Sequence, residues 1–191
     1  MADVATAVPV FTADSALVDR VLPSPNYRTR NAGERLEFVI IHGTWMAGDD
    51  GALQRLCDPV AEVSCHYYIT REGEVIQLVP ERLVAFHAGV SRAVKSDGAE
   101  VNGLNNWSLG IEVANCGPFL DGPPSVEQET LVGWTRAEPY TEAQYLALKE
   151  LVADILARNP HITSERVLGH NEVAPGRKTD PGVHFSWDWL R

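Results

Sequence analysis

The chain has 191 residues, of which 45% are hydrophobic and 22% charged, with a formal net charge of −10 at neutral pH. That length builds one domain with its own core and needs no covalent staples, and the composition is that of an ordinary globular protein. The acidity excludes a nucleic-acid partner, which would need a basic surface, and it argues against adhesion to anionic membranes.

In chain order, residues 1–35 read as a lead-in, with Pro23, Pro25, Asn26 and Gly33 marking extended or turn structure. Met1 to Val10 is apolar but has Asp3 and no Lys or Arg, so it lacks the charged start of a secretory signal. No apolar run reaches the length of a membrane span. Three cysteines, Cys57, Cys65 and Cys116, show no paired spacing, which fits a reducing compartment better than a disulfide framework. The expected location is therefore cytoplasmic, with a periplasmic or secreted protein that has lost its signal as the alternative. Cys65 precedes His66, but strand neighbours point to opposite faces, so Cys65 reads as a small core residue.

Leu36 to Ile41 is a nearly continuous apolar run rich in β-branched residues, a buried strand that ends at His42. Gly48 to Pro59 contains Ala52, Leu53 and Leu56 and reads as a short helix. Ser64 to Thr70 and Glu74 to Val79 are strands joined by Arg71-Glu72-Gly73, a hairpin signal. Gly89 to Asn106 is polar and irregular, a substrate-side loop. Leu109 to Ala114 is a further strand. Residues 115–139 hold Pro118, Gly122, Pro123, Pro124, Gly133 and Pro139, a long loop that reads as a lid.

Thr141 to Asn159 is the clearest helix. Thr141 with Gln144 makes a capping-box pattern, Tyr145, Leu148, Val152, Ile155 and Leu156 recur at helical spacing, and Asn159-Pro160 ends it. Arg166 to Gly169 is a short strand. The order predicts a mixed α/β domain, a central sheet with helices packed on its faces.

The most informative segment follows that strand. Gly169-His170-Asn171-Glu172-Val173-Ala174-Pro175-Gly176-Arg177-Lys178-Thr179-Asp180-Pro181-Gly182 is broken by two prolines and three internal or terminal glycines, so it reads as a shaped loop rather than a helix or central strand. It holds His170 and Asp180 at a fixed separation. Two imidazoles and a carboxylate, His42 included, are the donor set of a catalytic zinc that keeps a fourth position open for water. Glu112 lies mid-strand among apolar neighbours, where a carboxylate needs a partner or a task. Lys178, two residues before Asp180, is presented from the same loop.

These residues, with Ser64-Cys65-His66-Tyr67-Tyr68-Ile69, Ala85-Phe86-His87-Ala88-Gly89 and Ser108-Leu109-Gly110-Ile111-Glu112, resemble in their order the type-2 N-acetylmuramoyl-L-alanine amidases. The resemblance covers roughly residues 22–190. It implies that family's fold, with 1–21 as a lead-in and 22–191 as a single catalytic domain. It implies a zinc hydrolase, one ion per chain, that cuts the amide between N-acetylmuramic (or anhydro-muramic) acid and L-alanine of the peptidoglycan stem. By that similarity His42, His170 and Asp180 bind zinc, Glu112 accepts a proton from water and Lys178 stabilises the oxyanion.

Around this centre, Arg177 has the planar fork that suits a substrate carboxylate, and Trp45 is placed to stack on a sugar. His87 is expected along the groove, and His66 either near the substrate or behind the ligands. His161 and His184 read as surface or packing residues, and Trp107, Trp187 and Trp189 as core aromatics. Where the family often carries an aromatic residue after the first histidine, this chain has Gly43, which is expected to widen the site. The expected partner is a soluble muropeptide or peptidoglycan fragment, met by a monomer with no nucleic acid or membrane bound. The rival readings are an amidase of intact peptidoglycan and a recognition module that binds without cutting.

Overall fold

The structure, a computed structural model, describes residues 8–46, 48–117 and 139–190. Of the proline-rich loop expected over 115–139, residues 118–138 lie outside the described residues.

The core of the molecule is a six-stranded sheet in the order β1 (Arg20–Val21), β5 (Val75–Gln77), β4 (Tyr67–Ile69), β9 (Ser108–Val113), β3 (Phe38–Gly43) and β10 (Val167–Gly169). Neighbours run parallel except β4 and β5, the expected hairpin, whose turn is closed by Gly73 N–H donating to the Thr70 carbonyl at 3.0 Å. Every residue of β3 is buried, as its unbroken apolar run requires of a strand covered on both faces. The lead-in does more than wrap the domain, because β1 adds an edge strand and β2 (Tyr27–Thr29) pairs with β6 (Leu83–Ala85).

Alternation sorts the side chains. Val39, Ile41, Leu109, Ile111 and Val113 face a long helix, α2 (Glu142–Arg158), and pack with its Tyr145, Leu148, Leu151, Val152 and Ile155. Leu156, expected inside, sits at the margin of this cluster. The capping box forms as read: Thr141 Oγ1 accepts from Gln144 N–H at 3.1 Å, and Gln144 Oε1 accepts from Thr141 N–H at 3.0 Å. On the other side, α1 (Asp49–Cys57) buries Ala52, Leu53 and Leu56 against Tyr68, Ile76, Leu78 and the fully buried Cys65. Trp187 and Trp189 pack at the edge of the α2 cluster and Trp107 at the edge of another.

Two expectations need correction. The stretch 89–106 is not irregular: β7 (Arg92–Val94) and β8 (Glu100–Asn102) form a hairpin, followed by a 3₁₀ turn at Leu104–Asn106. Three-residue strands are too short to show a period, yet Val101 and Leu104 are buried with Phe38 and Ile40. Nor is the segment after β10 wholly loop. It opens with one helical turn, α3 (His170–Val173), before the first proline, with Glu172 Oε2 accepting from Gly169 N–H at 2.6 Å.

Candidate metal centre

The ladders beside β3 assemble the site. Residues two apart on a strand share a face, so His42 lies on the side of Phe38 and Ile40, away from α2. Glu112 is the register partner of His42 on β9 and points the same way. Gly169 is the partner of Ile41 on β10, so His170, one step on, stands beside His42 at the carboxyl edge of the sheet. Open α/β sheets characteristically place their sites along this edge. Asp180 returns to it because Asn171 N–H donates to the Asp180 carbonyl at 2.9 Å, and the Tyr140 hydroxyl donates to the Pro181 carbonyl at 2.8 Å.

Three atoms converge there. His42 Nδ1 and His170 Nδ1 are 2.9 Å apart, and Asp180 Oδ2 lies 3.0 Å from the second and 3.3 Å from the first. All three residues are buried, and among the described residues they form the group able to hold a metal ion. Two imidazole nitrogens so close need a proton or a cation between them. A tetrahedral ion with bonds of about 2.0–2.1 Å spaces its ligand atoms about 3.3 Å apart, so the triangle fits such an ion. Burial drives the His42 imidazole down to about 4, with His170 adding to the effect, which leaves it neutral and able to ligate at pH 7. At Asp180 burial opposes the charge, but His170 and His42 outweigh it and hold the carboxyl well below the usual carboxylate range.

Glu112 completes the case for a cation. Its Oε2 is sealed from solvent and has no hydrogen-bond partner among the described residues. Burial and the nearby Asp180 carboxylate push it up to about 8, with Lys178 acting in the opposite direction. Such an orphaned oxygen is costly unless a charge or a reacting group stands in front of it.

Glu112, Lys178, Trp45 and His87 line one cavity with His42, His170 and Asp180. Trp45 sits at φ +47, a strained value for a bulky residue, with its ring against Gly43 and Gly117. Arg177 lies outside this cavity. Its Nη2 donates to the Ala88 carbonyl at 2.7 Å and its Nε to the Val90 carbonyl at 3.0 Å, so it ties the ligand loop to the 88–90 segment.

His66 does not reach the cavity, contrary to the expectation of substrate contact. It is fully buried, its Nδ1 accepts from Gly110 N–H at 3.0 Å and its Nε2 donates to the Leu83 carbonyl at 3.2 Å. Burial lowers it to about 3, and neither nitrogen is left for a ligand. Gly43 does not widen the site either: a Cβ there would stand 2.5 Å from Tyr140 Oη, so the tyrosine fills the space. The hairpin residues 90–106 likewise stay away from the cavity, and Val90, Ser91, Arg92 and Asn102 border a separate hollow with Arg177. Sequence reasoning missed Arg55, an exposed cation on the cavity rim beside Ala52 and Leu56. The 52/55/56 spacing, one ridge of a helix, was the available signal.

A family model described as N-acetylmuramoyl-L-alanine amidase matches residues 32–183. The chain belongs to this family. It is 33% identical over 192 residues to the 1,6-anhydro-N-acetylmuramyl-L-alanine amidase AmpD of Salmonella typhimurium, covering 90% of this chain and 88% of that one. A crystal structure of an AmpD derivative superposes with a TM-score of 0.69 at 29% identity, over 93% of this chain and 94% of the other. The complex of Escherichia coli AmiD with anhydro-N-acetylmuramic acid-L-Ala-D-γ-Glu-L-Lys is similar at TM-score 0.65 and 34% identity, over 85% of this chain and 60% of that one. This amidase is a mixed α/β protein with a mainly parallel central sheet, as the sequence predicts. Among the described residues no helix is long and apolar enough to cross a membrane.

Proposed function

We propose that this amidase is a zinc enzyme that hydrolyses the amide between anhydro-N-acetylmuramic acid and L-alanine in soluble muropeptides, in the cytoplasm. The observation that carries the reading is the triangle of His42 Nδ1, His170 Nδ1 and Asp180 Oδ2 beside Glu112 Oε2, which has no hydrogen-bond partner among the described residues. Neutral imidazoles and a carboxylate are a donor set that suits zinc. When bound, zinc would polarise the scissile carbonyl and make water acidic.

The chain's own groups supply the rest. Glu112 takes a proton from the attacking water at its carboxylate and returns it to the leaving nitrogen of L-alanine. Lys178, exposed on the cavity wall, donates N–H to the oxygen that becomes negative when the carbonyl is attacked. Arg55 is an exposed rim cation in an acidic protein and suits an acidic peptide. The γ-linked glutamate in the AmiD complex leaves an α-carboxylate free for such a contact. Trp45 offers one apolar wall to the sugar.

The test is to incubate the protein with anhydro-muramyl-tripeptide and weigh the products. The reading expects free anhydro-N-acetylmuramic acid and an intact tripeptide, lost on chelation and restored by zinc. Release of soluble peptide from intact sacculi without cleavage of the small fragment would replace the substrate. Tight binding without cleavage in the zinc-loaded protein would replace the enzyme by a recognition module.

A further inference from the structure

The segment His87–Ala88 touches both histidines of the triangle from behind. His42 Nε2 is 2.9 Å from His87 Nδ1, and His170 Nε2 is 3.2 Å from the Ala88 carbonyl. His87 Nε2 in turn lies 3.2 Å from Ser108 Oγ, and Ser108 Oγ is 2.6 Å from the Leu104 carbonyl.

Elementary hydrogen-bond logic gives this chain one direction. A carbonyl only accepts, so the Ser108 hydroxyl spends its proton on Leu104. Ser108 Oγ then faces His87 as an acceptor, and His87 Nε2 carries a proton. His87 is walled in by His42 and His66 and has no carboxylate partner among the described residues, so it is a neutral imidazole. Its Nδ1 is therefore an acceptor, and His42 Nε2 is the donor. That leaves a bare lone pair on His42 Nδ1, the atom that faces His170 and Asp180. His170 is set the other way: Arg177 Nη2, 3.3 Å from its Nε2, can only donate, and the Asp180 carboxylate, 3.0 Å from its Nδ1, can only accept, so without an ion its proton lies on Nδ1, facing Asp180 and the bare His42 nitrogen.

The segment itself is clamped. Asn105 Oδ1 accepts from His87 N–H at 3.0 Å and from Ala88 N–H at 2.6 Å. Gly110 lets the His87 ring lie against β9, where any Cβ would collide with it. Arg177 Nη2 donates to the Ala88 carbonyl at 2.7 Å.

We propose that His87–Ala88, held by Asn105 and Ser108, is a positioning clip that sets the metal-facing His42 in the Nε2–H tautomer before any ion arrives. His87 is thus a positioning residue, with no contact to substrate required. The consequence for metal affinity rests on the zinc reading above, whereas the tautomer is a property of the metal-free protein.

Long-range ¹H–¹⁵N correlation spectra of the chelator-treated protein at pH 7 read the tautomers directly. The proposal expects the His42 proton on Nε2; a proton on Nδ1 of that ring would overturn it. Ser108→Ala leaves His87 in place and is expected to give a mixed His42 tautomer, whereas an unchanged one would remove Ser108 from the clip. Zinc affinity, read by competition with a chelating dye, tests the consequence. Loss of an outer partner of a metal-bound histidine typically costs about 10–100-fold, and that weakening is expected for His87→Phe. His87→Asn, whose Oδ1 stands in for Nδ1 as acceptor, is expected to retain most of the affinity. Wild-type affinity in His87→Phe, or equal loss in both variants, would contradict the role. Tight zinc with the expected His42 tautomer but no amide cleavage would leave this proposal standing and remove the amidase reading.

Discussion

His42 and Glu112 are register partners on the parallel strands β3 and β9, so a metal-facing imidazole and a carboxylate whose Oε2 has no hydrogen-bond partner among the described residues leave the sheet side by side. Parallel pairing at this register is enough to place them: neither depends on a loop. Only Asp180 and Lys178 must be brought in by the segment after β10.

Glu112→Gln keeps the shape of the site and removes the proton acceptor. Positioned general acid–base groups contribute about 10²–10⁴-fold, so turnover is expected to fall by that order with zinc content unchanged. Metal analysis and steady-state kinetics on one sample check this. Loss of zinc would mean that Glu112 supports the ligands instead.

Lys178→Ala leaves the three ligand residues untouched. Removing one oxyanion donor typically costs ~10²–10³-fold in kcat, and the same is expected here with KM little changed. A wild-type kcat would sink the assignment of Lys178.

Stability of the metal-free protein should depend on pH through Glu112. Its carboxyl is raised from 4.5 to about 8, so the folded state holds its proton more tightly than the unfolded chain. Stability from this group is therefore greatest below about 4.5 and falls as pH rises toward 8. The decline is at most about 1.4 kcal/mol per pH unit. Glu112→Gln removes it, so the variant should gain on the wild type between pH 5 and about 8 in chelator-treated thermal melts. Parallel pH profiles for the two proteins would contradict the burial of an uncompensated carboxylate.

Gly43→Ala forces a methyl toward Tyr140 Oη, whose hydroxyl carries the Pro181 carbonyl beside Asp180. Overpacking of this kind costs about 1–3 kcal/mol. Denaturant unfolding of the metal-free variant should show that loss, with weaker zinc binding as well. Tyr140→Phe, which keeps the ring and drops the hydrogen bond, should weaken zinc binding with a smaller loss of stability. Unchanged stability in Gly43→Ala would mean that Tyr140 has room to move.

Much of this was legible in the sequence because several signals agreed in one place. The apolar run into His42, the capping box at Thr141 and Gln144 and the proline-bounded His170–Asp180 segment each follow from local chemistry. What stayed hidden depends on pairing at a distance. The β2–β6 and β7–β8 ladders are three residues long, and no period shows over that span. His66 and His87 look alike on the page, yet Gly110 N–H and the Leu83 carbonyl consume one, while the other backs His42. Arg177 carries the right fork for a carboxylate, but the carbonyls of Ala88 and Val90 reach it first.

The most direct test of the account is to strip the protein with chelator and add zinc back in steps, following cleavage of anhydro-muramyl-tripeptide at each step. The account predicts no cleavage at the start, a linear rise that breaks at one zinc per chain, and no rise in Asp180→Ala. Full activity in the stripped protein, or the same titration in Asp180→Ala, would contradict a zinc site built from His42, His170 and Asp180.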